Sequence, residues 1–438
     1  MPRRFAAGER DVRNEVPVSG DSNGLTLLLM GLGAALYATA FWILSLRYPA
    51  IPLIAVFSLA PFQNDLSGLG WLHFSLSELH LLLAAPLMLL RGWQGGLGWL
   101  SVPIWGTLIL ATVMTIPTWR ESSGISLIQM SIYWVGAVAL FSILPTNTNQ
   151  LRVVWRALVT VGVVLAVAAL LTRSSYFLGL NKNGAGASLA CALIVCVECW
   201  LSEPRARQWR WLPALGLIAG GLIMVLSRGA WLAALSGVAF LFAWKGMYRR
   251  LLMFALVLIP VVGVVWASLP EESRQYASSF DSGRYNIRAR ELNSEWALEQ
   301  WKSSPWIGVG VGLRKEFDAT NVILLTLAES GPLGVLALIG VHFWVLWGMW
   351  RRRSGIKDLS APLASSHALA GAVVLSKFVH GLVDHYWSRG AIMIAWASVG
   401  FALSAYRISG ARKQHAVLLR QLPSKKIVRT HKGGAAYA

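Results

Sequence analysis

Long apolar runs alternate with short polar breaks along the whole chain. The runs fall near 24–46, 49–63, 75–90, 100–118, 125–144, 151–172, 183–202, 210–227, 229–244, 250–269, 332–350, 361–385 and 391–408. A membrane-crossing helix needs about 20 apolar residues, because each residue rises 1.5 Å through a hydrocarbon layer about 30 Å thick. Most of the runs meet that length. They predict an all-α protein, a polytopic transmembrane helical bundle. No internal repeat and no Gly/Ser- or Pro-rich linker interrupts the pattern. The first run is longer than a signal-peptide core, and the leader before it is polar, with Arg3, Arg4, Arg10 and Arg13.

Composition removes the soluble alternatives. Of 438 residues, 55% are hydrophobic and 13% charged, against about 25% charged in an average globular domain. Too few polar side chains remain to cover soluble domains. With 22 Trp and 15 Phe, the chain cannot stay solvated as a disordered one either.

The net charge of +19, from 39 Lys+Arg against 20 Asp+Glu, would suggest nucleic acid in a soluble protein. In a membrane protein it first sets orientation, and no nucleic-acid partner is expected. Arg351, Arg352, Arg353 and Lys357, the connections 203–210 and 245–250, and the tail after 406 are all basic. They share one side if the runs alternate, and that side is then cytoplasmic. The opposite side receives the one long loop, 270–320, with eight acids and seven Lys/Arg. The run 49–63, marked by Pro49, Pro52 and Pro61, is the best candidate not to cross, since irregular backbone is tolerated at depth where protein surrounds it. This gives about 12 spans with both termini cytoplasmic. The expected divisions are a leader (1–23), N-terminal membrane helices (24–269), a partly helical periplasmic loop (270–320), C-terminal membrane helices (321–408) and a basic tail (409–438).

Candidate chemistry lies where polar residues meet membrane depth, since charge there is costly. Cys191, Cys196 and Cys199 share one apolar run and read as packing residues, with no metal spacing. Ser227-Arg228-Gly229 permits a tight helix–helix corner. Arg228 there either snorkels to lipid phosphate or faces an anionic substrate. In the long loop a helical pattern runs from Asp281-Ser282-Gly283-Arg284 to Trp301, with Arg284, Arg288 and Arg290 at its start. Asp281 or Ser282 can cap it. Leu292 with Trp296, and Leu298 with Trp301, form its apolar pairs. The helix lies on the membrane surface, or it forms a lid that carries guanidinium groups over a pyrophosphate. Pro305–Gly312 holds three glycines at alternate positions but no following Lys-Ser/Thr. It reads as a tight re-entry rather than a nucleotide P-loop. Asp318, Thr320, Asn321 and Glu329-Ser330-Gly331 follow. In 361–385, Lys377, His380 and Asp384 share a helix face, as a buried ion pair or a proton relay.

Five of these stretches, in this order, resemble the O-antigen ligase and polymerase family of bacterial envelope proteins. They are Asn181-Lys182-Asn183, Ser227-Arg228-Gly229-Ala230-Trp231, the loop from Ser282-Gly283-Arg284 through Trp296 to Gly312, Asn321 through Glu329-Ser330-Gly331-Pro332-Leu333-Gly334, and His380-Gly381-Leu382-Val383-Asp384. The resemblance spans roughly residues 150 to 405. It implies a multi-pass protein of the bacterial inner membrane that polymerises or ligates a glycan at the periplasmic face. The donor would be carried on polyprenyl pyrophosphate, the acceptor would be another glycan or lipid, and neither nucleotide sugar, metal nor other cofactor would take part. By match, Arg228 and Arg284 would act on the pyrophosphate, with Asn321 in the catalytic group. Arg288, Asn183, Thr320, Glu329 and His380 would contact substrate.

One position departs from the family. Its ligases usually carry His immediately before the Asn of the re-entry motif, and here that residue is Thr320. A threonine hydroxyl is not a base near neutral pH. Asp318 is then the substitute, and the change points toward polymerase or exopolysaccharide chemistry rather than a lipid A-core ligase. A flippase or polysaccharide transporter, and a non-catalytic envelope assembly subunit, are the other readings. The lack of repeats disfavours transport.

Overall fold

The computed structural model describes residues 23–62, 74–91, 96–174, 176–268, 270–271, 274–275, 285–315, 319–353, 360–387 and 389–421. Arg284, Asp318, the expected caps Asp281 and Ser282, the arginine leader and the end of the basic tail lie outside them.

Nearly every described residue is helical. The helices are α1 (Asn23–Arg47), α2 (Ala50–Leu59), α3 (Leu76–Leu90), α4 (Ser101–Thr115), α5 (Glu121–Ser131), α6 (Val138–Ile143), α7 (Thr148–Thr172), α8 (Lys182–Ser202), α9 (Leu212–Met224), α10 (Arg228–Lys245), α11 (Tyr248–Ser268), α12 (Tyr285–Ser303), α13 (Val322–Arg351), α14 (Ala361–Gly381) and α15 (Arg389–Gln421). A π-helical turn, Ile132–Ala137, joins α5 to α6 in one continuous rod. Eight of the described helices are long and apolar enough to cross a membrane. Helix α2, within the Pro-marked run, has ten residues and rises about 15 Å, half the hydrocarbon thickness. One small element escaped the hydrophobic pattern. Residues Tyr176–Phe177 (β1) and Leu180–Asn181 (β2) pair antiparallel and turn the chain from α7 into α8.

Helices α8, α14 and α15 form the interior, while α1 is peripheral. Helix α10 packs along α14, α14 along α15, and α15 along α6. Small residues permit the close approach. A methyl group on Gly186 would lie 2.8 Å from Ala230 Cβ, so α8 and α10 touch almost backbone to backbone, as membrane helices do where small residues meet. Aromatic rings fill the wider gaps. Phe57, Phe141, Trp155 and Phe401 interlock at centroid distances of 4.8–5.6 Å. Large apolar side chains left outside, such as Leu36, Ile43, Leu256, Leu336 and Phe343, form the surface that lipid would cover.

Candidate active site

Three helix ends meet around the Ser227 corner. Helix α9 stops at Met224, and Leu226 takes a left-handed backbone conformation, φ 51°. The chain then reverses into α10, capped by the Ser227 hydroxyl, which accepts from the Ala230 N–H. That hydroxyl donates at 3.3 Å to Asn183 Oδ1, in the first turn of α8. Asn181 caps α8 in turn, accepting from the Gly184 N–H at 2.8 Å. So the N-termini of α8 and α10 are joined side by side, and each presents the positive end of its dipole. The expected corner is realised, with Arg228 as the first residue of α10.

The third end is the C-terminus of α14. A methyl group on Gly229 would lie 3.0 Å from Val383 Cγ2 and 3.7 Å from His380 Nε2. His380 is 2% exposed, and neither ring nitrogen has a hydrogen-bond partner among the described residues. A buried imidazole left unpartnered is unusual, since buried polar groups are normally bonded. Of the residues singled out from sequence, the fold therefore brings Asn183, Arg228 and His380 together.

The long loop attaches to the same end. Arg290, on α12, donates from Nη1 to the Val383 carbonyl at 2.8 Å and meets Asp384 Oδ2 at 3.4 Å. Asp384 thus pairs with a loop arginine 94 residues away in sequence. Lys377, expected to share a face with it, donates to the His385 carbonyl at 2.9 Å and lies 5.4 Å from the Tyr386 ring centroid. Arg288, two residues before Arg290, is exposed. Helix α12 packs against α13 and buries Ala297 rather than Leu292, which is 53% exposed. The expected Leu292–Trp296 pair therefore does not face inward as a unit. Helix α12 is thus docked on the bundle through α13 and the Arg290 contacts.

The Gly-rich stretch serves as a re-entry brace. Helix α13 breaks at Gly331, φ 63° and ψ −169°, and Pro332 has no N–H to give the Ala328 carbonyl. The loop supplies the missing donors. Val309 N–H reaches the Ala328 carbonyl at 2.8 Å, and Gly310 N–H the Glu329 carbonyl at 2.9 Å. Gly312 N–H bonds Glu329 Oε1 at 2.9 Å, and Val311 N–H bonds Thr115 Oγ1 at 3.0 Å. These amides are engaged within the protein, so the loop is no phosphate cradle. Glu329, 4% exposed, is built into this break as the hydrogen-bonded acid. Asn321 caps α13, its Oδ1 accepting from Ile323 and Leu324 at 2.9 and 3.2 Å. Thr320 precedes it in a left-handed conformation, φ 53°.

Sequence reading passed over several polar groups. Glu78, fully buried in α3, accepts from the Tyr133 hydroxyl on the π turn. An acid inside the run 75–90 was the signal for it. Nearby, Arg314 donates to Gln129 at 3.3 Å and covers the Trp387 ring at 4.8 Å. Burial, then the adjacent Arg314 cation, push the Lys315 ammonium below its usual range. His342 Nδ1 faces the Leu338 carbonyl and so donates, which leaves Nε2 to accept from Tyr386 Oη at 2.6 Å. The cysteines are free and packed within α8, as expected.

Residues 213–330 match the O-antigen ligase family. The matched stretch begins in α9, contains the Ser227 corner, the long loop and the re-entry, and ends one residue before the Gly331 break. Over these residues the family resemblance drawn from the sequence holds. The chain is also similar to one in a solved structure described as "Structural coordination of polymerization and crosslinking by a peptidoglycan synthase complex", at 22% identity and a TM-score of 0.45, covering 72% of this chain and 98% of that one. A search of curated proteins found no match.

Proposed function

We propose that this protein is a membrane-embedded glycosyltransferase that transfers a glycan from polyprenyl pyrophosphate to a hydroxyl acceptor at the outer face of the bacterial inner membrane. The observation that carries this reading is the junction of the α8 and α10 N-termini beside Arg228, with the unpartnered His380 facing Gly229. Two helix N-termini and a guanidinium make a site for a multiply charged anion. The family match over 213–330 supports a lipid-linked glycan as its source.

In the reaction the acceptor oxygen attacks the anomeric carbon. The bond from that carbon to the pyrophosphate oxygen breaks, and the electron pair stays on the leaving pyrophosphate. Negative charge grows on the bridging oxygen in the transition state, so fixed positive groups aimed there lower the barrier. Arg228 and Arg284 take that role, and His380 donates a hydrogen bond to a phosphate oxygen. The acceptor proton passes to Asp318, since Thr320 stands where the family's ligases have histidine. Arg288, exposed in the first turn of α12, meets the donor. Asn183 and Asn321 order the helix ends that carry the site, and Glu329 braces the re-entry behind it.

The test is surface-glycan analysis in cells that carry Arg228→Ala, Arg284→Ala or His380→Ala, with membrane levels of each protein measured. Loss of the long-chain glycan at normal protein level is expected for both arginine variants, by at least about a hundredfold. The His380 variant should fall by about tenfold. Wild-type chain-length distribution in both arginine variants would refute the pyrophosphate site.

A further inference from the structure

The other end of the bundle carries a second basic site. From Asn183 to Ser202, helix α8 rises about 28 Å along its axis. At that far end two adjoining cavities, about 340 and 660 Å³, lie against the α8–α9 connection. Arg156, Glu203, Arg207 and Trp211 line both, Arg152 lines the smaller and Arg210 the larger. The carboxylates here are answered inside the protein. Glu203 meets Arg156 at 3.3 Å. Glu198, 1% exposed, meets Lys245 at 2.8 Å and accepts from Ser202 and Ser365 at 2.7 and 2.6 Å. Among the described residues, Arg152, Arg207 and Arg210 meet no carboxylate and line the space as surplus cations.

The floor of the larger cavity is apolar, made by Val159 and Val163 of α7 and Ala214 of α9. Farther along the same two helices Val164 and Leu217 are exposed apolar side chains. Trp211 sits in the wall with Arg156 5.8 Å from its ring centroid, and Trp209 is 63% exposed beside Arg210. Tryptophan and arginine together at a helix end mark the head-group level of a bilayer.

We propose that this pocket binds the phosphate of an anionic glycerophospholipid, held by Arg152, Arg207 and Arg210, with an acyl chain lying along α7 and α9. Guanidinium groups match phosphate oxygens in pairs. A basic pocket between helices that opens onto an apolar groove fits a charged head with a tail. A free phosphate would use the arginines but not the groove. The site is separate from the Ser227 corner and independent of the reaction assigned to it.

The test uses the full chain, delipidated in detergent and titrated with dioleoyl phosphatidylglycerol or dioleoyl phosphatidylcholine, with bound lipid counted by native mass spectrometry. Wild-type protein should prefer phosphatidylglycerol about tenfold. Arg152→Gln with Arg207→Gln should abolish the preference. Arg249→Gln with Arg250→Gln removes the same charge at the neighbouring connection and should keep it. Arg207→Gln alone, at an exposed position, should weaken binding in the same direction if the double variant does not fold. Retention of the preference in the pocket variants, or equal loss in the Arg249/Arg250 variant, would overturn the site. Displacement of the lipid by millimolar inorganic phosphate would overturn its assignment to a lipid.

Discussion

Arg290 of the loop helix reaches Asp384 at the end of α14, 3.4 Å apart, and also bonds the Val383 carbonyl at 2.8 Å. Asp384 is 1% exposed while the Arg290 side chain is 42% exposed. The acid is therefore fixed in the protein and the arginine is the part that can leave. Two bonds to adjacent residues make the contact a latch between α12 and the end of α14, near His380.

Arg290→Ala should release that latch. Removing one partner of a fully buried pair costs about 3–5 kcal/mol, and partial exposure of Arg290 reduces this to roughly 1–2 kcal/mol. Amide hydrogen exchange over 285–303 should speed up by roughly tenfold, at that free energy. Arg290→Lys should recover only part of the protection, because an ammonium cannot hold the carbonyl and the carboxylate in the fork geometry. Unchanged exchange over 285–303 in Arg290→Ala would show that other contacts hold α12.

Gly331→Ala should be among the most damaging single-methyl additions in the chain. Its φ is 63°, and a Cβ there would collide with the Trp306 carbonyl. A positive φ with an extended ψ is essentially a glycine-only conformation and costs a residue with Cβ about 1–3 kcal/mol, and the collision would push the 305–312 loop off the carbonyls it satisfies. We expect a loss of at least about 2 kcal/mol in detergent unfolding. Gly340→Ala, on the same helix with nothing within 4 Å of the added methyl, should be neutral or gain up to about 1 kcal/mol. Equal stability of the two variants would contradict the brace.

Thr320→His tests the departure from the family pattern. Thr320 holds φ 53°, a conformation that a β-branched residue resists more than histidine does. The variant should fold at least as stably, and glycan transfer should persist or rise as an imidazole enters the position. A folded variant with no transfer would mean that the acceptor pocket is built around the threonine.

Much of the fold was legible because its causes are local. Hydrophobic runs define most helices within a few residues. Ser227 and Asn181 can cap because a hydroxyl or amide oxygen reaches an N–H three residues on. The break at Gly331-Pro332 has an equally local cause, the proline's missing donor, but the hydrophobic pattern showed only a run starting at 332 and not the turns of α13 before it. The candidate site was legible in part for the same reason. Arg228 stood out as a charge between apolar runs, and Glu78 carried the same signal.

What the sequence by itself determined is a helical membrane protein, the corner at Ser227 and the charge asymmetry between its ends. Tertiary structure alone decided the partners. It joined Asn183 to Ser227, 44 residues apart, brought Arg290 of the loop to Asp384, 94 residues away, and made a glycine-rich loop the donor set for a broken helix. The physical reason is range. Hydropathy, capping and the missing proline N–H act over one or two turns. Which distant groups meet depends on how helices of similar apolar character pack, and at these points small residues such as Gly186 and Gly229 let the backbones close in.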